Sequence, residues 1–294
     1  MHSKTLYAMI RFSDNNDKNG IISLWSESFG DSKKEIEVFL KHRYKPENTL
    51  IYEINGEIAS MLFLLEGKMK INGIYHPSYY LYAACTAKKF RGKGLMGDLL
   101  KRTNSIASQR GYEYICLMPG EESLFGFYEK YGYKTVFSKK VLTLFREDIK
   151  PLNCSENIWT NPDNIRLENL RDCAFEKFDI LSWDSEAVKF SFIHTELYGG
   201  KALLTDKGYC LYNENNDTLI AKEFAFTESD FEFGLALLMN VTKVDKFIIH
   251  LPSQYKTDFE KYFIQASGMI HPLSAAADEG IKNLSDAYLG LTLD

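Results

Sequence analysis

The stretch "FRGKGLMGDLL", Phe90 to Leu100, sets Gly92, Gly94 and Gly97 in a GxGxxG pattern interleaved with Arg91 and Lys93. Three site types use glycines in this way. A P-loop needs GxxxxGK[ST], which occurs nowhere in the chain. A dinucleotide-binding fold wants its first glycine straight off a strand, inside repeated βαβ units; here the bulky, charged "KKFR" intervenes. The third reading takes Arg91-x-x-Gly94 as a basic loop between a strand ending at Thr86 and a helix starting at the glycines. Backbone N–H groups at such a start are unpaired and point outward where the helix dipole is positive, so a pyrophosphate fits there. Gly92 and Gly94 let the backbone approach without a Cβ in the way. Lys88, Lys89, Arg91 and Lys93 add charge for a highly anionic ligand. Taken in isolation, the same residues describe a surface turn with solvated lysines. The flanking sequence has to decide.

Upstream, "YAMIRF" reads as a strand, "NGIISLWSESFG" as an amphipathic helix, and "DSKKEIEVFLKHRY" as a second helix behind an Asp/Ser cap signal. Asn55-Gly56 and Asn72-Gly73 then separate β-rich runs. Asn-Gly tolerates positive φ at both turn positions, so this region is an antiparallel meander. Downstream, Leu95, Met96, Leu99, Leu100, Ile106 and Ala107 line one helical face that Gly111 ends. "YEYICLM" is a short buried strand, "EESLFGFYEKYG" a short helix stopped by Gly132, and "YKTVFSKKVLTLF" a closing strand. The order is β-α-α-β-β-β-α-β-α-β, an α/β (α+β) fold with a mixed central sheet flanked by helices.

The polar run Arg146 to Asn164 marks a boundary and predicts domains over 1–148 and 149–294. Beyond it the plan repeats as strand, helix, buried strand, short helix, Gly, strand. "FIIHLP" stands for "YICLMPG", and "FEKYFIQASGMIHPL" for "GFYEKYGYKTV". Where the first copy has "KKFRGKGLMG", the second has "TESDFEFGLA", with one glycine and no Arg or Lys. The second copy therefore reads as degenerate and without a phosphate site.

The chain has 294 residues, 45% hydrophobic and 26% charged, which is globular composition with ample material for a core. No apolar run approaches the roughly 18 to 20 residues of a membrane span, and the start lacks the apolar block of a secretory signal. Cys85, Cys116, Cys154, Cys173 and Cys210 are odd in number and widely spaced, with no CxxC pair. They read as reduced, mostly buried thiols of a cytoplasmic protein with no metal site. Residues 1–150 hold 23 Lys and Arg against 17 Asp and Glu; residues 151–294 hold 12 against 23. The basic residues are dispersed, so no nucleic-acid partner is expected.

With "FYEKYGY" at Phe127 to Tyr133, the glycine loop is no longer isolated. Together the two motifs resemble the GNAT superfamily, the Gcn5-related N-acetyltransferases, over about residues 5–145. That resemblance implies acetyl-CoA as co-substrate, held at its pyrophosphate by Arg91, Gly92, Lys93, Gly94, Leu95, Met96 and Gly97. Met96 stands where the family's loop usually has Gly or Ala, and Glu121 lies near where many members carry Asn. The tandem plan is similar to acetyltransferases of the enhanced-intracellular-survival type, and the chain is expected to stop short of their third domain.

The resemblance makes Tyr128 the candidate general acid. A phenol is protonated at neutral pH and can deliver a proton to the departing CoA thiolate. The thioester carbonyl would be held by backbone N–H groups at the splayed end of "YLYAACT", around Cys85 and Thr86. Cys85 itself reads as structural, since no His stands in a partner motif and direct transfer is the family norm. The general base stays open between Glu66 and the carboxylate of Asp294. Trp25, Phe29, Tyr80 and Tyr82 would wall the pocket of an acceptor, a primary amine of a small molecule or peptide. Two other functions compete: a non-catalytic acyl-CoA sensor, and an aminoacyl transferase of the Fem type. The latter predicts a basic tRNA face and a coiled-coil arm, neither visible in the sequence.

Overall fold

The computed structural model describes residues 7–151 and 164–293. Cys154 and Asp294 lie outside the described residues. The first half runs β1 (Ala8–Phe12), α1 (Lys18–Phe29), α2 (Lys33–Arg43), β2 (Thr49–Ile54), β3 (Glu57–Ile71), β4 (Ile74–Thr86), α3 (Leu95–Gln109), β5 (Tyr114–Leu117), α4 (Phe125–Glu129) and β6 (Lys134–Phe145). This is the order read from the sequence, and the local signals explain it. Ser32 caps α2: its hydroxyl accepts from Glu35 N–H, and the Glu35 carboxylate accepts from Ser32 N–H at 2.6 Å. Both Asn-Gly turns have positive φ at each central residue: 51° and 83° at Asn55-Gly56, 49° and 79° at Asn72-Gly73. That backbone matches the right-handed twist of the strands they join.

The second half runs α5 (Asn164–Ala174), β7 (Ile180–Ser182), α6 (Ser185–Leu197), β8 (Lys201–Leu204), β9 (Tyr209–Asn215), β10 (Thr218–Ala225), α7 (Phe231–Val241), β11 (Lys246–Pro252), β12 (Tyr262–Pro272) and α8 (Ala275–Gly280). The strand–helix–strand unit β10-α7-β11 repeats β4-α3-β5, as the sequence predicts. The expected short helix does not. "FEKYFIQASGMIHPL" becomes strand β12 from Tyr262, because Tyr262, Phe263 and Ile264 carry aromatic and β-branched side chains with no 3.6-residue period. Residues 288–293, the described part of "YLGLTLD", form no strand. Within it Tyr288 makes a single bridge, to Ile180, as Ala287 just before it does to Phe137.

Two compact units emerge, and neither is a contiguous run. The first holds the described residues to Gly67, His76–Lys134 and Ile270–Lys282; the second holds Lys68–Tyr75, the described part of Thr135–Met269, and the residues from Asn283. Thus Thr135–Phe145 packs with the second unit although it precedes the 148/149 boundary, and Ile270–Lys282 returns to the first.

In the first unit β1-β2-β3 are antiparallel neighbours and β4 pairs β5 in parallel. Ala59 to Leu65 of β3 are buried without alternation, so both faces of this strand are covered. In the second unit the order β8-β9-β10-β11-β6 includes one parallel pair, β10 with β11. There Arg171 and Glu223, both fully buried, pair at 2.8 Å, and the Tyr209 hydroxyl donates to the same Glu223 oxygen at 2.8 Å. Of the four described cysteines, Cys85, Cys116 and Cys210 are buried and Cys173 is exposed. No described helix is long and apolar enough to cross a membrane.

Candidate active site

The parallel pairing of β4 with β5 covers only Ser78–Tyr80 against Tyr114–Cys116, and β4 then runs on to Thr86. Within this free length Ala83 sits at φ +47°, a left-handed conformation that a non-glycine residue rarely adopts. Such a residue breaks the alternation of the strand and re-aims its backbone polar groups. Ser60 ties the strand end together. Its hydroxyl donates to Cys85 O at 2.8 Å and lies 2.8 Å from the Thr86 hydroxyl.

The loop beyond Thr86 is basic and exposed. Gly92 (φ +74°) and Gly94 (φ +81°) are left-handed, and a Cβ at either would meet nothing within 4 Å. Conformation therefore demands glycine here, and open space remains for a ligand. Helix α3 starts at Leu95, and its first backbone bond is Asp98 N–H to Gly94 O at 3.1 Å. The N–H groups of Leu95, Met96 and Gly97 precede that bond and stand at the positive end of a 15-residue helix. Arg91 turns back over the strand end, donating from Nε to Thr86 O at 3.1 Å. Lys89 is partly neutralised by Glu57 at 2.6 Å, while Lys89 and Lys93 both cover the Phe90 ring.

Two residues of the first turn of α3 present only backbone outward, for different reasons. The Leu95 side chain is buried against Ile54 and Ala59. Gly97 is buried under Tyr131, and an added Cβ would fall 2.6 Å from Tyr131 Cζ. Tyr131 in turn packs on Phe127, with centroids 5.1 Å apart, so the α4 motif is seated on the first turn of α3.

Tyr128 of α4 is buried, and burial pushes its phenol up to about 12, with the neighbouring Cys85 thiol opposing ionisation further. The Cys85 thiol is itself pushed up to about 12 by burial, against the pull of Ser28 and Arg91. A thiol so weakly acidic is a poor nucleophile at neutral pH.

The four expected pocket residues divide by exposure. Trp25 and Tyr80 are buried, Tyr82 is half-buried and Phe29 is exposed. The Trp25 ring packs, tilted or edge-on, 4.9 Å from Phe39, 5.4 Å from Phe63 and 5.7 Å from Tyr82, and donates from Nε1 to Asp31 at 2.7 Å. Phe39 and Phe63, absent from the sequence reading, complete this aromatic wall. Glu66 lies elsewhere. It pairs with Lys45 and accepts from the Tyr112 hydroxyl at 3.1 Å, and Tyr112 stacks on Tyr79 at 3.6 Å. Tyr79 is seven residues before Thr86 on β4, about 23 Å along a strand. Although burial opposes it, those partners hold the Glu66 carboxyl below its ordinary range. Both Glu66 carboxylate oxygens are thus engaged, Oε2 by Lys45 and Oε1 by Tyr112.

Residues 9–136 match the family model for the acetyltransferase (GNAT) domain. These residues form a GNAT acetyltransferase domain. Solved GNAT-like structures share the fold of the longer chain as well. A Gcn5-related N-acetyltransferase from Anabaena variabilis superposes with a TM-score of 0.76 at 15% identity, over 92% of this chain and 74% of that one. A probable N-acyltransferase from Enterococcus faecalis gives 0.73 at 14% identity, over 93% and 74%. Eis1 from Mycobacterium abscessus gives 0.71 at 12% identity, over 92% and 75%. At such identities the likeness is one of fold. No curated protein sequence matches the chain.

In the second unit, the strand end that corresponds to the glycine loop is followed by Thr227 to Asp230, with no glycine before α7. Parallel pairing of β10 with β11 covers Thr218–Ala221 against Lys246–Ile249, and β10 continues to Ala225. Just beyond, the Tyr255 hydroxyl donates to Phe226 O at 2.9 Å and Thr227 O at 2.8 Å. Its fully buried ring packs against Phe178 and Phe231. The turn leading into α7 is acidic, and the Thr227 hydroxyl caps it by accepting from Asp230 N–H at 3.3 Å.

Proposed function

We propose that the chain transfers an acetyl group from acetyl-CoA directly to a primary amine of a small molecule or peptide. One observation carries the reading. The exposed left-handed glycines lead from the end of β4 into the open first turn of α3, Arg91 donates back to Thr86 O at that strand end, and the Cys85 thiol next to Thr86 helps to raise the buried Tyr128 phenol. In this reading the N–H groups of Leu95, Met96 and Gly97, with Arg91 and Lys93, hold the diphosphate. Backbone groups near Ala83 to Thr86 hold the thioester carbonyl. The second unit binds no CoA, since Tyr255 occupies the end of β10 and the adjoining turn is acidic.

The amine must arrive neutral. Its nitrogen attacks the carbonyl carbon, the C–N bond forms, the C–S bond breaks, and the sulfur leaves with the electron pair. The nitrogen loses one proton and the sulfur gains one, so no net oxidation occurs. Tyr128 stands as the donor to sulfur, but as a restrained one. A phenol near 12 is a weaker acid than an ordinary thiol of about 8.5, so full transfer to the sulfur is uphill. Tyr128 therefore stabilises the departing sulfur mainly by hydrogen bonding while charge develops, and any proton it releases returns from the acceptor nitrogen. A panel of primary amines assayed for free CoA, with and without protein, tests the reading. Amine-dependent CoA release supports it. Acetyl-CoA binding with no release for any amine would leave a sensor.

A further inference from the structure

Four of the hydrogen bonds that hold the segment between β4 and α3 bear on where its backbone sits. Ala87 N–H donates to Ala59 O at 2.9 Å, Phe90 N–H to Ala87 O at 2.8 Å, and Arg91 Nε to Thr86 O at 3.1 Å. These three lie within the loop and its own sheet. The fourth comes from another element: Lys88 N–H donates to Oε1 of Glu27, on helix α1, at 2.8 Å. Glu27 sits between Trp25 and Phe29 on that helix, and it is exposed.

A carboxylate is a costly choice at this place. Lys88 lies three residues before Arg91, at the entry to the glycines read above as a diphosphate site. Glu27 holds the Lys88 N–H and Arg91 the Thr86 carbonyl, two residues apart on the same short segment. Negative charge there opposes an anionic ligand. A local rule broken in this way calls for a compensating gain, and the Lys88 N–H bond supplies one. Accepting with a charged oxygen makes it stronger than a neutral pair.

We infer that Glu27 is a positioning residue, which clamps the cofactor loop to helix α1 through the Lys88 N–H and so couples donor binding to the acceptor-side aromatic wall. The inference rests on reading the loop as the acyl-CoA diphosphate site. A solvated surface carboxylate would act on an anion by charge alone, and the two roles differ in sign. Glu27→Gln keeps a carbonyl oxygen for Lys88 N–H and removes the charge; Glu27→Ala removes both.

The experiment titrates acetyl-CoA into the full chain by calorimetry, for the parent and both variants, with melting curves to confirm folding. Clamping predicts that Glu27→Ala binds about tenfold more weakly, the weight of one charge-assisted hydrogen bond. Glu27→Gln restores the affinity or exceeds it. In turnover, KM for acetyl-CoA rises in the Ala variant while kcat at saturating donor moves by less than about twofold. Tighter binding by both variants, or an Ala variant equal to the parent, overturns the clamp. So does loss of kcat in Glu27→Gln, which would make the carboxylate a proton acceptor. A parent that binds no acetyl-CoA overturns the diphosphate reading itself, and the clamp falls with it.

Discussion

The Cys85 thiol lies near enough to Tyr128 to oppose its ionisation, in surroundings that already hold the phenol up to about 12. The site thus keeps its proposed donor protonated across the neutral and moderately alkaline range, at the cost of making it a weak acid.

Replacing Tyr128 with Phe removes the hydroxyl and keeps the ring packing on Phe127 and Tyr133. Stability and acetyl-CoA affinity should hold, while kcat falls by about 10²–10⁴-fold with KM little changed. The parent rate should not decline near pH 10.0, the ordinary phenol value, but only as pH nears about 12. A Phe variant as fast as the parent would make Tyr128 a packing residue.

Gly97→Ala sets two effects against each other. Alanine favours a helix interior by about 1 kcal/mol over glycine. The new methyl, however, lands on the Tyr131 ring, and overpacking costs about 1–3 kcal/mol. Net destabilisation is expected. It should shrink when Tyr131→Ala is added, since the pair is in contact and the effects are not additive. Urea melts of the two single variants and the double variant read this directly. Strict additivity would show that Tyr131 swings clear.

Most of the first half of the chain, to Phe145, was legible in the sequence. Helix periodicity, the Ser32 cap, the two Asn-Gly turns and the glycine stops are local signals, and local signals fixed ten elements in their right order. The second half was read less well. Residues between Arg166 and Leu204 carry weak patterning, and Arg171 of α5 finds its partner in Glu223, far along the chain. In the site, the glycine loop and Tyr128 were legible because motifs mark them. Ala83, Phe39, Phe63 and Glu27 were not. A left-handed alanine inside a strand has no compositional signature, and the others acquire meaning only from what folding sets beside them.

His271 predicts a pH dependence of stability. Burial lowers its pKa below the ordinary 6.5, and its Nε2 lies 3.0 Å from Asn104 Nδ2. The unfolded chain therefore binds a proton that the folded one refuses, so stability falls as pH drops below about 6.5. Melting curves of the parent across that range should show the loss, and His271→Gln should flatten it. An unchanged slope in the variant would assign the effect to other groups.

Under the proposed function the chain holds one acetyl-CoA, in the first unit, on the Arg91–Gly97 loop. Calorimetric titration of the full chain tests it most directly, with Arg91→Glu and Asp230→Ala beside the parent and folding checked by melting. The parent should bind one acetyl-CoA per chain. Arg91→Glu should lose affinity by more than about tenfold, because one charge-assisted contact worth about 1.5–3 kcal/mol is replaced by repulsion. Asp230→Ala, on the acidic turn of the second unit, should match the parent. Two sites per chain, or an Arg91→Glu variant that binds as the parent does, would contradict the claim.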